Sequence, residues 1–528
     1  MKKRILTTAC ALLLACATAA GLASCGKDPE PSGKETPAAT TPATDPATES
    51  TTEAPTEAPT EAPTECVHEP ACKPVDDTNH QSYCTKCEAV LATEAHTWDE
   101  GTVTTEPTVE AEGVKTFTCT ACGHTRTEAI EKLNIKDVLG LEIQMSDIKE
   151  PLMHPIFSGN TVLNETVMFL DQGDVKSLLY PIESIQSVTS YDGKKVYEEG
   201  KDYVIEDGKI KVTEGSSIPC ITSKTYYNNP GSLISIQHDG KVVPIHWGEG
   251  QAMTNWQVNV NYTHTSSWEG YTQSSELAVY QNFIKKLQAG ENVTVFFYGD
   301  SITWGANASW INGYDPKQLP YTVLFVQALA DLFGYTVHYE AGNLVASMPT
   351  CNVPSDYVAG DRGTITYINT AIGGWTSQDG VTNLEKFVKD KINLYGCDLF
   401  VVGFGMNDAA TALPTFSKNI QKITDAVLEM KPEAGIVLLA TMVPNPDGIG
   451  WYGNQARQEN VLKKLAESYR TDGTACAVCC MTSVSQAILK HKDFHDYSGN
   501  NINHPNDYFV RVYAQTLLQT VVGYENMN

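Results

Sequence analysis

The sequence predicts an α/β protein. A parallel five-stranded sheet with helices on both faces is preceded by a β-sandwich or jelly-roll-like domain and a small Cys/His-rich module. Three observations carry this. From about Ser274 onward, apolar strand-like runs alternate with helical ones. Across 133–273, short alternating runs are broken by Asp-Gly and Glu-Gly pairs. Across 66–132, two Cys-x-x-Cys pairs stand in a segment too poor in apolar residues to build a core of its own.

The chain begins with what reads as a leader. Lys2, Lys3 and Arg4 precede an apolar stretch from Ile5 to about Ala20, and "LASC" follows at 22–25. This is the pattern of an export signal, residues 1–25, to be left out of fold reasoning. Its ending resembles a bacterial lipoprotein box, which implies lipidation at Cys25; the plainer alternative is secretion with cleavage after a small residue. Residues 26–65, with the repeat "TEAPTEAPTEAPTE", form a Thr/Pro/Glu linker that buries too little to order itself. The expected location is the outer face of a bacterial cytoplasmic membrane, at the cell surface, with membrane contact through the lipid anchor only. The 528 residues carry a formal net charge of −26, with 37 Lys and Arg against 63 Asp and Glu. That excludes nucleic acid as a partner, since phosphate binding needs basic patches.

The Cys/His module, 66–132, holds "CTKC" at 84–87 and "CTAC" at 119–122, with Cys66, His68, Cys72, His80, His96 and His124 around them. Such spacing fits a structural zinc held by Cys84, Cys87, Cys119 and Cys122. In an exported chain it also fits disulfides, or unliganded thiols. The stretch 96–128 resembles Cys/His repeats of large exported proteins from anaerobic bacteria. In the β-rich region, Asp192-Gly193, Asp207-Gly208 and Asp239-Gly240 between alternating runs signal hairpins. Its role is open between carbohydrate binding and packing against the next domain.

In the α/β region, 274–528, the strand-like runs include "VTVFFY", "TITYINTA", "LFVVGFG", "GIVLLATMV" and "ACAVCCM". Helical runs between them imply parallel pairing. Four polar clusters interrupt this rhythm: "GDSIT" at 299–303, "NTAIGGWTS" at 369–377, "GMND" at 405–408 and "NINHPND" at 501–507. The first three follow strands, so they share the sheet edge where open α/β sheets bind ligands. Acyl transfer needs a nucleophile, a base and donors for an oxyanion. Ser301 is the candidate nucleophile, although alone it reads as a helix cap. His504 is the candidate base, since imidazole titrates near neutrality. The N–H groups of Ser301 and Gly374 and the amide of Asn407 are the candidate oxyanion donors.

These four blocks, in order, resemble the SGNH, or GDSL-type, hydrolase family. The resemblance covers 274–528, about half of the chain. It implies a flavodoxin-like three-layer α/β/α domain, a serine esterase activity that needs no cofactor, and an oxyanion hole at the three positions just named. One departure stands out. Family members usually carry Asp three residues before the histidine, and this chain has Asn501 there. Asn501, Asp493, Asp496 and Asp507 are therefore the candidates to orient His504, or no acid exists. Trp304, Trp310, Trp375 and Trp451 lie beside the blocks and are expected either to line a substrate mouth or to pack in the core. Similar proteins remove acetyl groups from polysaccharides. The expected substrate is thus an acylated carbohydrate or a small ester. The alternatives are a lipid or thioester hydrolase of the same family, and an inactive carbohydrate-binding surface protein.

Overall fold

The computed structural model describes residues 66–109, 111–340 and 355–523. The expected leader, Cys25 and the linker lie outside the described residues. No helix among the described residues is long and apolar enough to cross a membrane. The described chain falls into two compact units, 66–70 with 84–89 and 71–83 with 90–523.

The first unit is a short staple of chain, in which the Thr85 N–H donates to the Glu69 carbonyl at 2.9 Å. The second unit opens with antiparallel pairing from Asn79↔Ala95 to Tyr83↔Val90. A three-stranded antiparallel sheet follows, formed by Thr102–Thr105, Gly113–Thr118 and Thr125–Ile130.

The β-rich region, expected as a sandwich or jelly roll, builds separate small sheets. Its largest sheet has four strands, in the order Val196–Tyr197, Ser184–Ser190, Gln257–Thr263, Thr161–Met168. A three-stranded sheet and the hairpin Ser235–His238 with Lys241–Pro244 accompany it. The Asp-Gly pairs do make tight turns. Asp207 and Gly208 take φ of 50° and 72° between the paired residues Glu206 and Lys209. A two-residue hairpin loop with both φ positive is the type I′ turn that such pairs favour. The largest sheet also meets an apolar surface from the C-terminal region. Val162, Val167, Val258, Val260 and Tyr262 share one core cluster with Tyr508, Phe509 and Val512 of the last helix, Asp507–Val522. A buried ion pair crosses the same junction. Lys492 Nζ lies 2.6 Å from Glu165 Oε1, with neither side chain exposed. Glu165 also accepts from the Tyr262 hydroxyl at 2.7 Å and the Leu179 N–H at 2.8 Å.

The α/β sheet has seven strands rather than five. From one edge they run Tyr357–Val358, Thr336–Tyr339, Thr364–Asn369, Val293–Gly299, Leu399–Gly403, Gly435–Ala440 and Cys476–Cys480. All neighbours are parallel except the edge pair of Thr336–Tyr339 with Tyr357–Val358. Both additional strands lie beyond the helix Tyr321–Phe333, where short runs gave no strand signal. Alternation along Val293–Gly299 feeds two cores. Val293, Val295 and Phe297 join one cluster, with Val323, Leu324 and Leu517 from helices. Phe296 and Tyr298 join another, with Phe416, Ile420, Leu462 and Leu465. Helices thus cover both faces, and a strand buried on both faces reads as an unbroken apolar run.

Candidate active site

The strand Val293–Gly299 lies inside the sheet between two parallel neighbours, and the chain turns sharply at its end. Asp300 caps the next turn, its carboxylate accepting from the Ile302 N–H at 3.0 Å. Burial pushes the Asp300 carboxyl up to about 7, against the N–H groups of Ile302 and Met406 that donate to it. Ser301 is the first residue of the helix Ser301–Trp304. Its N–H therefore has no acceptor inside that helix.

Two further strand ends meet this turn. After Thr364–Asn369 the Ile372 N–H donates to the Gly299 carbonyl at 3.1 Å. This brings in exposed Gly373, where a Cβ would stand 3.7 Å from the Ser301 Cβ, and exposed Gly374 at φ 79°. After Leu399–Gly403 comes Asn407, whose Nδ2 donates to the Trp375 carbonyl at 2.9 Å. One amide hydrogen is thus anchored beside Gly374, and the second is left over. Buried Asp408 accepts from the Ser377 N–H at 2.9 Å and its hydroxyl at 2.7 Å. These bonds hold the second and third clusters together.

The fourth cluster supplies the histidine. Asn500 Oδ1 accepts from the N–H groups of Ile502, Asn503 and His504 at 2.9–3.0 Å. That wraps the loop around one side chain. His504 Nε2 lies 2.9 Å from Ser301 Oγ. On the other side, Nδ1 lies 2.9 Å from Asn307 Oδ1 and 3.3 Å from Glu249 Oε2. With Nε2 as acceptor for the serine proton, Nδ1 carries the ring hydrogen and donates to these two oxygens. Asn500 Nδ2 donates to Glu249 Oε1 at 3.0 Å, and Asn307 Nδ2 to the Gly499 carbonyl at 2.9 Å. Gly499 permits that approach, since a Cβ there would meet the Asn307 Cβ at 2.6 Å. Burial raises the Glu249 carboxyl, but the His504, Asn500 and Asn307 hydrogen bonds outweigh it and hold the group below the usual range.

The structure brings Ser301, His504, Gly374 and Asn407 to one sheet edge, but not the expected orienting groups. Asn501 takes φ 64° and spends its amide on the Tyr226 hydroxyl at 3.0 Å and the His246 carbonyl at 2.7 Å. Asp493 pairs with Lys176. Asp496 accepts from the Met168 N–H at 2.9 Å. Asp507 accepts from the Ser309 N–H at 2.9 Å, and burial pushes it up to about 6. Glu249 and Asn307 stand at Nδ1 in their place. Asn307 lies six residues after Ser301, inside the same stretch of sequence. Glu249 comes from the β-rich region, in "HWGEGQ", where no motif marks it.

The tryptophans, expected to line a mouth or pack in the core, belong to different hydrophobic clusters. Trp304 and Trp310 pack with one hydrophobic cluster, Trp375 with a second and Trp451 with a third. Trp375 meets Tyr298 and Phe387 edge-on, and Trp451 donates to the Leu233 carbonyl at 3.1 Å. Each indole finds apolar area nearby to bury, which outweighs exposure at the site.

Residues 297–509 match the model of the GDSL-like Lipase/Acylhydrolase family. All four clusters of the site fall within or across that GDSL-like segment, whereas Glu249 lies outside it. No curated protein matches the chain. Among solved structures, a two-domain esterase active on acetylated mannans, crystallised with mannopentaose, is similar at 18% identity and a TM-score of 0.33. The match covers 47% of this chain and 54% of that one, so the chain spans about half the length of that esterase. Axe2, an acetylxylan esterase from Geobacillus stearothermophilus, is similar at 18% identity and a TM-score of 0.29, covering 44% of this chain and 95% of that one. The acetyl xylan esterase AlAXEase is similar at 18% identity and a TM-score of 0.29, covering 43% and 98%.

Proposed function

We propose that this protein is a serine esterase that cleaves short acyl esters, with acetylated polysaccharide as its substrate class. The observation that carries the reading is the relay Ser301 Oγ–His504 Nε2 at 2.9 Å, backed at Nδ1 by Asn307 and Glu249. Ser301 Oγ attacks the acyl carbon as His504 Nε2 takes the hydroxyl proton. The negative oxygen so formed meets the N–H groups of Ser301 and Gly374 and the second amide hydrogen of Asn407. Collapse breaks the C–O bond, and His504 returns the proton to the departing alcohol. Water, deprotonated by His504, then splits the acyl-serine, leaving a carboxylic acid and free enzyme. Glu249 opposes the positive charge that His504 carries in both steps.

The rim of the site supports a hydrophilic substrate with a short acyl group. It presents exposed Gly373 and Gly374, the half-exposed Glu249 and the Asn407 amide. The leader-like segment and the linker support action outside the cell, where acylated polymers are met. The intact Ser301–His504 pair weighs against an inactive binding protein. Ser301→Ala should abolish acetate release from acetylated xylan, by about 10⁴- to 10⁶-fold, with the fold intact. An organophosphonate should label Ser301 and not the variant. An unchanged rate in the variant would end the proposal.

A further inference from the structure

The four Cys-x-x-Cys cysteines do not gather around one ion. Cys84 and Cys87 group with Cys66 and His68, and Cys119 and Cys122 group with His80 and His96. The first group lies wholly in the first compact unit and the second wholly in the second. Within each group all four donor atoms lie within 4.8 Å of one another. We propose that these are two separate structural zinc sites, Cys66/His68/Cys84/Cys87 and His80/His96/Cys119/Cys122.

The spacing of the donors is that of a tetrahedron. With Zn–S of about 2.3 Å and Zn–N of about 2.0–2.1 Å, tetrahedral angles put two sulfurs about 3.8 Å apart, and a sulfur and a nitrogen about 3.6 Å apart. Cys66 Sγ and Cys84 Sγ are 3.8 Å apart. Cys87 Sγ is 3.4 Å from His68 Nδ1, and Cys122 Sγ is 3.4 Å from His96 Nδ1. A disulfide would need sulfurs about 2.05 Å apart.

The histidines of the second group are set as ligands. His96 Nε2 lies 2.9 Å from the Asp76 carbonyl. Donating there leaves the Nδ1 lone pair facing Cys122, the outer-shell arrangement that fixes a metal-binding tautomer. His80 is 3% exposed, and its Nδ1 is buried with no hydrogen-bond partner among the described residues. An orphaned imidazole nitrogen costs free energy unless something takes its lone pair, and a metal ion does so. In the first group the Lys86 N–H donates to Cys84 Sγ at 3.4 Å, a contact that favours the thiolate.

Four protein ligands close each site, so the ions are structural rather than catalytic. Binding displaces the thiol protons as the cysteines become thiolates. The second ion ties His80, on the strand Asn79–Cys84, and His96 to the turn after Gly113–Thr118. That joins a hairpin to a three-stranded sheet in a segment with little core to hold them.

The test uses the full chain, purified under reducing conditions and loaded with zinc alone, with metal counted by native mass spectrometry. Two zinc ions per chain are expected. Cys87→Ser and Cys66→Ser should each bind one, as should Cys122→Ser and His80→Ala. Cys87→Ser with Cys66→Ser should still bind one, whereas Cys87→Ser with Cys122→Ser should bind none. Cobalt(II) in place of zinc should give a stronger thiolate-to-metal absorption from the three-cysteine site than from the two-cysteine site. A single zinc in the unaltered chain, lost on mutating either Cys-x-x-Cys pair, would overturn the proposal. So would metal-free protein with its cysteines oxidised.

Discussion

Removing Glu249 separates a charged relay from a neutral one. Its Oε2 lies 3.3 Å from His504 Nδ1, and its side chain is 56% exposed. A unit charge at that distance is worth about 5 kcal/mol at an effective dielectric of 20 and about 1.3 kcal/mol in bulk water. Half-exposure places the effect between these, at about 2 kcal/mol, or about 30-fold in kcat/KM. The loss stops there because Asn307 Oδ1 still accepts the Nδ1 hydrogen at 2.9 Å, so the tautomer survives. A relay that loses its tautomer falls by about 10⁴-fold instead. Initial rates on 1-naphthyl acetate for Glu249→Ala test this. The double variant Glu249→Ala with Asn307→Ala should lose far more than the product of the single losses, since no oxygen then accepts the Nδ1 hydrogen and only the Asn500 amide, 3.1 Å away, remains beside Nδ1. Glu249→Ala with a wild-type rate would refute the role.

Three other perturbations follow from the geometry. Asn407→Ala should lower kcat by about 10²- to 10³-fold with little change in KM, because its amide serves the oxyanion rather than the bound ester; steady-state kinetics decide it. Lys492→Met should cost about 3–5 kcal/mol, read as a lower urea midpoint, because it leaves the Glu165 carboxylate buried without its cation. Asp507 sits at about 6 in the folded state against 3.8 unfolded, so the folded chain holds the extra proton between those values. Its contribution to stability therefore falls as pH rises from about 4 to about 6. Relative to wild type, Asp507→Asn should lack that fall in thermal denaturation across the window, and a parallel pH dependence would count against it.

The sheet, its buried strands and the four polar clusters were legible because each is local. A strand covered on both faces is apolar throughout, as "VTVFFY" is, and a cluster after it marks the sheet edge. The edge strand Thr336–Tyr339 was not legible, since four residues carry too little pattern. In the β-rich region, alternation marks a buried face but not what buries it. The partner of His504 was misread for a related reason. The family pattern points to the position of Asn501, yet Asn501 is turned toward Tyr226 and the His246 backbone. The oxygens that reach Nδ1 are those of Asn307 and Glu249, and the second is 255 residues away in sequence. The tryptophans stand beside the blocks along the chain, but adjacency there does not say which way a ring points.

The seating of Glu249 has a bearing on inheritance. The family model stops at 297–509, and the carboxylate that faces the base lies upstream of it. A descendant that exchanged its upstream half for another by recombination would keep all four blocks and still match the model in full. It would nevertheless arrive without its acid, and with Lys492 stripped of a counter-ion. In such a lineage the two halves are heritable only as a pair, and the match to the family model is blind to their separation.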